Sequence, residues 1–165
     1  IVRVVIQPQR LAAVLGCLVA FDQLTKAWAV SSLSDGHVVH LFWTLQFSLG
    51  YNSGIAFSQG KSMGPVVGVL ACIAVVFLLR SARAAHTKLS AYGLLFIASG
   101  ASGNVVDRIF RHGGFMRGSV VDFIDFQWFP IFNVADSCIT LGAIALLLGL
   151  FFESRNQEEV VQHES

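Results

Sequence analysis

Four aspartates, Asp107, Asp122, Asp125 and Asp136, fall within Gly100–Thr140, among strongly apolar neighbours. Carboxylates in such surroundings are costly to keep and are candidates for function. Asp122 lies in Val120-Val-Asp-Phe-Ile124, between bulky apolar residues. Two carboxylates meeting in a dry site cannot both ionise cheaply, so they share one proton and titrate as a unit. Such a pair offers an acid and a base together, able to activate water and protonate a leaving amine. The plain alternative for Asp122 is a buried acid paired with Arg108 or Arg111, and Asp125, in the same segment, can sit at a different depth. Asn133, Asp136 and Thr140 share a helix face. Pro130 precedes that helix, Asn133 is a good N-cap, and Asp136 three residues on completes a capping pair. From this helix alone, capping and catalysis stay equally open, since both favour a carboxylate at a helix N-terminus.

On the preceding helix, Gly100, Gly103, Asn104 and Asp107 fall at i, i+3, i+4 and i+7, one stripe. Close helix packing accounts for the glycines, whereas Asn104 and Asp107 require a polar partner. Other chemistries fit less well. Gly100-Ala-Ser102-Gly103 resembles the surroundings of an intramembrane serine nucleophile, which needs a base, and no histidine lies in the core of a proposed span. His37 and His40 lack the cysteine or acidic partners of a metal site, and neither an HExxH motif nor a phosphate-binding P-loop is present.

These residues need a frame, and composition says it lies in lipid. The chain has 165 residues, of which 55% are hydrophobic and 13% charged, with a mean hydropathy of +0.67. That is about half the charge of an ordinary soluble domain. A net charge of +1 and the lack of a basic cluster following an aromatic ladder argue against nucleic acid as a partner. Cys17, Cys72 and Cys138 sit in apolar runs and read as packing residues, with no disulfide or metal spacing. Long apolar runs predict a mainly α membrane protein with four spans, near residues 11–33, 62–79, 89–106 and 136–152, and a polar tail over 153–165. Within the first span Asp22 and Lys26, at i and i+4, read as a mutually neutralising pair with Lys26 snorkelling to the interface. Ala27-Trp-Ala29 imitates a signal cleavage site, but the charged pair before it and the apolar character after it favour a retained span.

Residues 37–60 change character. β-Branched and aromatic residues in partial alternation, with turn signals at Gly50, Asn52-Ser-Gly54 and Gly60, predict a small β-platform between the first two helices. Trp43, Tyr51 and the phenylalanines suit a membrane–water interface. Arg3, Arg10, Arg80, Arg83 and Lys88 place both termini in the cytoplasm and the platform outside; Arg108, Arg111 and Arg117 on the other side weaken that vote. The whole chain reads as one membrane-embedded domain.

Taken together, Asp22-Gln-x-x-Lys26, Asn52-x-Gly54-x-Ala56-Phe57, Gly103-Asn-x-x-Asp107-Arg108, Val120-Val-Asp-Phe-Ile124 and Phe132-Asn-x-Ala-Asp136-Ser resemble lipoprotein signal peptidase (signal peptidase II). The resemblance runs from about Leu11 to Phe152. It implies an aspartic endopeptidase of the bacterial inner membrane that cuts prolipoproteins on the amino side of a diacylglyceryl-modified cysteine. It further implies Asp122 and Asp136 as the catalytic pair, and Asn52, Gly54, Asn104, Arg108, Asn133 and Ala135 as residues that shape or support the site. Asp22 and Lys26 would be structural. No cofactor is implied; the expected partners are lipid-modified prolipoproteins and membrane lipids, with the protein a monomer. Two features depart from the family pattern: the long, glycine-rich join Phe110–Gly118, and Tyr51 where a basic residue or histidine is expected. The runner-up function is an ion or proton transporter using Asp22, Asp107 and Asp136 as a relay, and the third is a non-catalytic assembly subunit held by its glycine stripe.

Overall fold

The computed structural model describes residues 6–53, 64–111 and 116–164. In chain order these form α1 (Pro8–Leu33), β1 (Val39–Phe42), β2 (Leu45–Asn52), α2 (Gly64–Ala84), α3 (Lys88–Phe110), β3 (Val120–Asp125) and α4 (Val134–Glu164). All four helices are long and apolar enough to cross a membrane. Pro8 opens α1 in the first turn, where its missing N–H costs nothing. Thr87 caps α3 by accepting from the Ser90 N–H at 3.0 Å.

The helices turn apolar side chains outward: Leu24, Phe77 and Leu147 are 69%, 68% and 66% exposed. Polar groups turn inward; Lys26 is 0% exposed, and Asp22, Asp107 and Asn133 are also buried. Water would not tolerate so much exposed apolar surface, while a bilayer supplies its missing partner.

α3 packs against each of the other three helices, and glycines set how closely. A Cβ at Gly142 would meet Gly93 O at 2.6 Å and Ile97 N at 2.8 Å. A Cβ at Gly93 would meet Leu146 N at 2.7 Å. The α3–α4 crossing is therefore backbone against backbone, the close approach that small residues permit in membranes.

The platform is a three-stranded antiparallel sheet, ordered β1-β2-β3. Its first two strands fall inside the expected 37–60 region. The third comes from the segment between α3 and α4, with Gly50 opposite Asp122 and Gln46 opposite Asp125. Val121 and Phe123 point from β3 onto Ala29 and Leu33 of α1, and the Trp28 ring sits edge-on to Phe47 and Phe123. Strand alternation then sends Asp122 to the opposite face. The β1–β2 turn carries Trp43, 87% exposed, in the left-handed region at φ 51°. Trp128 Nε1 donates to Thr44 Oγ1 at 3.2 Å and holds the turn to the segment after β3.

Several boundaries differ from expectation. α2 runs to Ala84, so Arg80 and Arg83 are helical rather than loop residues. α3 continues to Phe110, which brings Asp107 and Arg108 into its last turns. α4 extends through the expected polar tail. Gly54, Ala56, Phe57 and residues 112–115 of the glycine-rich Phe110–Gly118 join lie outside the described residues.

The glycine crossing gives a direct test. Gly142→Ala should lower the thermal midpoint in detergent by the equivalent of about 1–3 kcal/mol, the usual effect of overpacking. Gly16→Ala, whose added Cβ meets nothing within 4 Å, should be neutral or stabilising by up to about 1 kcal/mol.

Candidate active site

Asn133 stands between the two aspartates. Its Nδ2 donates to Asp122 Oδ1 at 2.6 Å and to Val121 O at 3.2 Å. Its backbone N–H donates to Asp136 Oδ2 at 3.2 Å, and its Oδ1 accepts from the Asp136 N–H at 3.0 Å. The last two bonds are a reciprocal cap on α4, so the capping reading of Asp136 is correct as structure. It does not exhaust the residue, because Asp136 Oδ1 also accepts from Asn104 Nδ2 at 2.9 Å.

Asp122 is 4% exposed. Burial pushes its carboxyl up to about 6, and the neighbouring Asp136 carboxylate pushes the same way; hydrogen bonds from Asn133 and Asn52 oppose the rise. Neither arginine pairs with it. Arg111 Nε binds Asp107 Oδ1 at 2.7 Å instead, and the buried Arg108 interacts electrostatically with Asp107 and Asp122. Asp125 stands apart from this site. Its oxygens accept from Gln46, Ser48 and the Gln127 N–H, and these bonds, Gln46 foremost, hold it below the usual carboxylate range.

A second polar cluster lies beside the first. Lys26 Nζ reaches Asp22 Oδ2 at 2.8 Å and Asp107 Oδ2 at 2.9 Å. The expected Asp22–Lys26 pair is present, but Lys26 does not snorkel: with two carboxylates inside the bundle, its ammonium gains more there than at the interface. Asp22 Oδ1 accepts from the Ala135 N–H at 2.9 Å, and Asp107 Oδ2 from the Val121 N–H at 3.2 Å. Gln23 Nε2 adds bonds to Gly103 O at 3.1 Å and Asp107 Oδ1 at 3.3 Å. Asp107 thus joins α1, α3 and β3. The sequence reading placed it on the polar stripe but gave it no part in the site; its i, i+4 spacing from Arg111 was the available signal. Asp22 and Asp107 are both locked to cations, which leaves Asp136 as the one carboxylate of the relay reading without a cation partner.

Asp136 opens onto a cleft of about 600 Å³ lined by Asn52, Phe129–Phe132, Ser137, Thr140 and Leu141. One wall is apolar and, at Leu141 and Phe129, exposed to the surroundings of the bundle. The other carries Asp136 and Asn52. Of the expected supporting residues, Asn104 and Asn133 bond the aspartates directly, Ala135 serves through its N–H, Asn52 bonds Asp122, and Gly54 is outside the described residues.

Comparison with known proteins assigns the frame. The family described as Signal peptidase (SPase) II matches residues 14–152. A lipoprotein signal peptidase of Rhodococcus jostii (strain RHA1) is 40% identical over 139 residues, covering 84% of this chain and 70% of the relative. One from Mycolicibacterium smegmatis (strain ATCC 700084 / mc(2)155) is 39% identical over 151 residues, covering 88% and 64%. A bacterial membrane enzyme solved in meso at 2.3 Å superposes with a TM-score of 0.71 at 25% identity, covering 94% of this chain and 96% of that one. With four membrane-crossing helices, a small antiparallel sheet and this match along most of its length, the chain belongs to the signal peptidase II family, multi-pass membrane proteases that remove signal peptides from prolipoproteins.

Proposed function

We propose that the chain cleaves diacylglyceryl-modified prolipoproteins on the amino side of the lipidated cysteine, with Asp122 and Asp136 as a catalytic pair and no covalent intermediate. One observation carries the reading: Asn133 bonds both carboxylates, and the buried one holds its proton up to about pH 6. Asp136, at the cleft and facing N–H donors on both oxygens, takes a proton from water as that water attacks the scissile carbonyl carbon. Asp122 gives its proton to the carbonyl oxygen. When the tetrahedral intermediate collapses, the C–N bond breaks, the proton on Asp136 passes to the leaving amine, and Asp122 recovers its own from the hydroxyl.

The cleft suits the substrate. An apolar signal helix can lie along Thr140 and Leu141 while its end turns beneath Asn52 and the sheet, where water is limited and electrostatics are stronger. The chain runs up and down four times, so Arg10, Arg80, Arg83, Lys88 and Arg155 gather at the end of the bundle away from the sheet. That distribution supports cytoplasmic termini and a site near the outer surface of the inner membrane. Arg108 and Arg111 weigh less against it than their number suggests, since one is buried and the other paired with Asp107. The protein acts without a cofactor, as a monomer within a single domain.

Cleavage of a purified, diacylglyceryl-modified prolipoprotein tests the assignment. Asp122→Asn and Asp136→Asn should each lose roughly 10²-fold or more in turnover, as expected for removal of a general acid or base. Asp125→Asn should still cut. Near-normal turnover in either of the first two variants would refute the pair.

Stability gives an independent check on Asp122. An aspartate in the unfolded chain titrates near 4, and the folded protein holds this proton up to about 6. The stability from that tighter proton is complete below about pH 4 and is lost as pH rises through about 6. Asp122→Asn should therefore match the wild type in thermal midpoint at pH 4. At pH 8 its midpoint should be higher by the equivalent of about 1–3 kcal/mol, the size of the titration difference.

A further inference from the structure

We infer that Lys26 is a positioning residue for catalysis: it fixes which end of the Asn104 amide faces Asp136. This inference rests on the catalytic role proposed for Asp136 and goes beyond the neutralisation of Asp22.

An ammonium has three donors and no acceptor. The three on Lys26 are taken by Asp22 Oδ2 at 2.8 Å, Asp107 Oδ2 at 2.9 Å and Asn104 Oδ1 at 2.9 Å. Only the oxygen of the Asn104 side chain can face that third donor, and Asn133 Nδ2 presents a second donor to the same oxygen at 3.3 Å. The Asn104 NH2 group must then point away from both, and it reaches Asp136 Oδ1 at 2.9 Å. Turning the amide over would set its NH2 against an ammonium and another amide NH2. It would also set its carbonyl oxygen against the Asp136 carboxylate.

Lys26 is 0% exposed, and neither water nor motion of a free side chain competes for its donors. A Cβ at Gly103 would approach Asp22 Oδ2 to 2.5 Å, so glycine there leaves room for the carboxylate that holds Lys26 in line. The charged groups around this amide are Asp22 and Lys26 of α1, Asp107 and Arg108 of α3, Asp122 of β3 and Asp136 of α4. Among these, Lys26 alone both touches Asn104 and lacks an acceptor.

A kinetic cycle tests the inference. Lys26→Met is made together with Asp107→Asn, so one cation and one anion leave the cluster together. Turnover of a diacylglyceryl-modified prolipoprotein is compared with that of Asp107→Asn alone. The expected result is a loss of roughly 100-fold in kcat, the order seen when a group at the site is misplaced by about 1 Å, with KM changed by no more than about two-fold. In a background that also carries Asn104→Leu, Lys26→Met should cause no further loss, because the two residues act as one unit. Additive losses, or a change confined to KM or to thermal stability, would overturn the inference. If the Lys26→Met pair variant does not fold, Asn104→Asp answers in its place. It keeps an oxygen for Lys26 but replaces the N–H toward Asp136 by a carboxylate oxygen, the arrangement a turned amide would give, so undiminished turnover would overturn the inference. Near-normal turnover in Asp136→Asn would instead remove the catalytic reading beneath it.

Discussion

A fully buried ammonium is the constraint on which the rest of this structure depends. Moving an isolated charge into a medium of low dielectric costs several kcal/mol even after relaxation. Lys26 is tolerable only because Asp22 and Asp107 meet it at 2.8 and 2.9 Å. Those carboxylates have further lone pairs, and the structure uses them on backbone. Asp22 takes the N–H of Ala135, the neighbour of Asp136. Asp107 takes the N–H of Val121, the neighbour of Asp122. One charge cluster thus holds the chain immediately before each of the two aspartates, one on a helix and one on a strand. Removing a single partner would leave an uncompensated charge and free one of those two segments.

Lipid sets the second constraint. With an apolar solvent outside, the hydrophobic effect does not draw the helices together, and close packing and polar bonds must do so. The glycine crossing of α3 and α4 provides the first. It also brings the α3 backbone near enough for the Asn104 side chain to reach the α4 N-terminus, and a wider helix spacing would break that bond. The sheet sets the position of the strand aspartate. It rests on α1 through Val121, Phe123 and Trp28, which fixes the height of Asp122 relative to the helix ends.

The four helices were legible in the sequence because apolar runs of sufficient length have one stable solution in a bilayer. The helix ends were less so: α4 runs on through polar residues, which intrinsic helix propensity permits once lipid no longer dictates the pattern. The first two strands were signalled by alternation and turn residues. β3 was read only as a run of bulky apolar residues around Asp122, although Val-Val-Asp-Phe-Ile has strand composition; its pairing partner lies some seventy residues earlier, and local pattern cannot report that. At the site, Asp122, Asp136, Asn104 and Asn133 stood out as polar residues among apolar ones, while their roles as a catalytic pair and its supports came from resemblance to a family. The inward course of Lys26 was not legible, since a lysine one turn from an aspartate snorkels as readily as it buries until Asp107 is placed opposite. What Gln23 and Asp107 bind was not legible for the same reason. Their partners lie on other helices.

Capping at Asp136 and the catalytic role proposed for it, which compete as readings of the sequence, are compatible in the fold. The reciprocal bonds with Asn133 hold the carboxylate at the first turn of α4, where the unpaired N–H groups and the helix dipole favour negative charge. A base that takes a proton from water and later returns it must remain in one position through both transfers, and a capping box supplies that restraint. The same asparagine donates its side-chain amide to Asp122, so the two carboxylates are held by one rigid group rather than by two loops. A cap made by serine or threonine would hold the helix equally well, but its hydroxyl is too short to span the remaining distance to the strand. The amide of asparagine, with an acceptor for the helix and donors for the second acid, meets both demands at once.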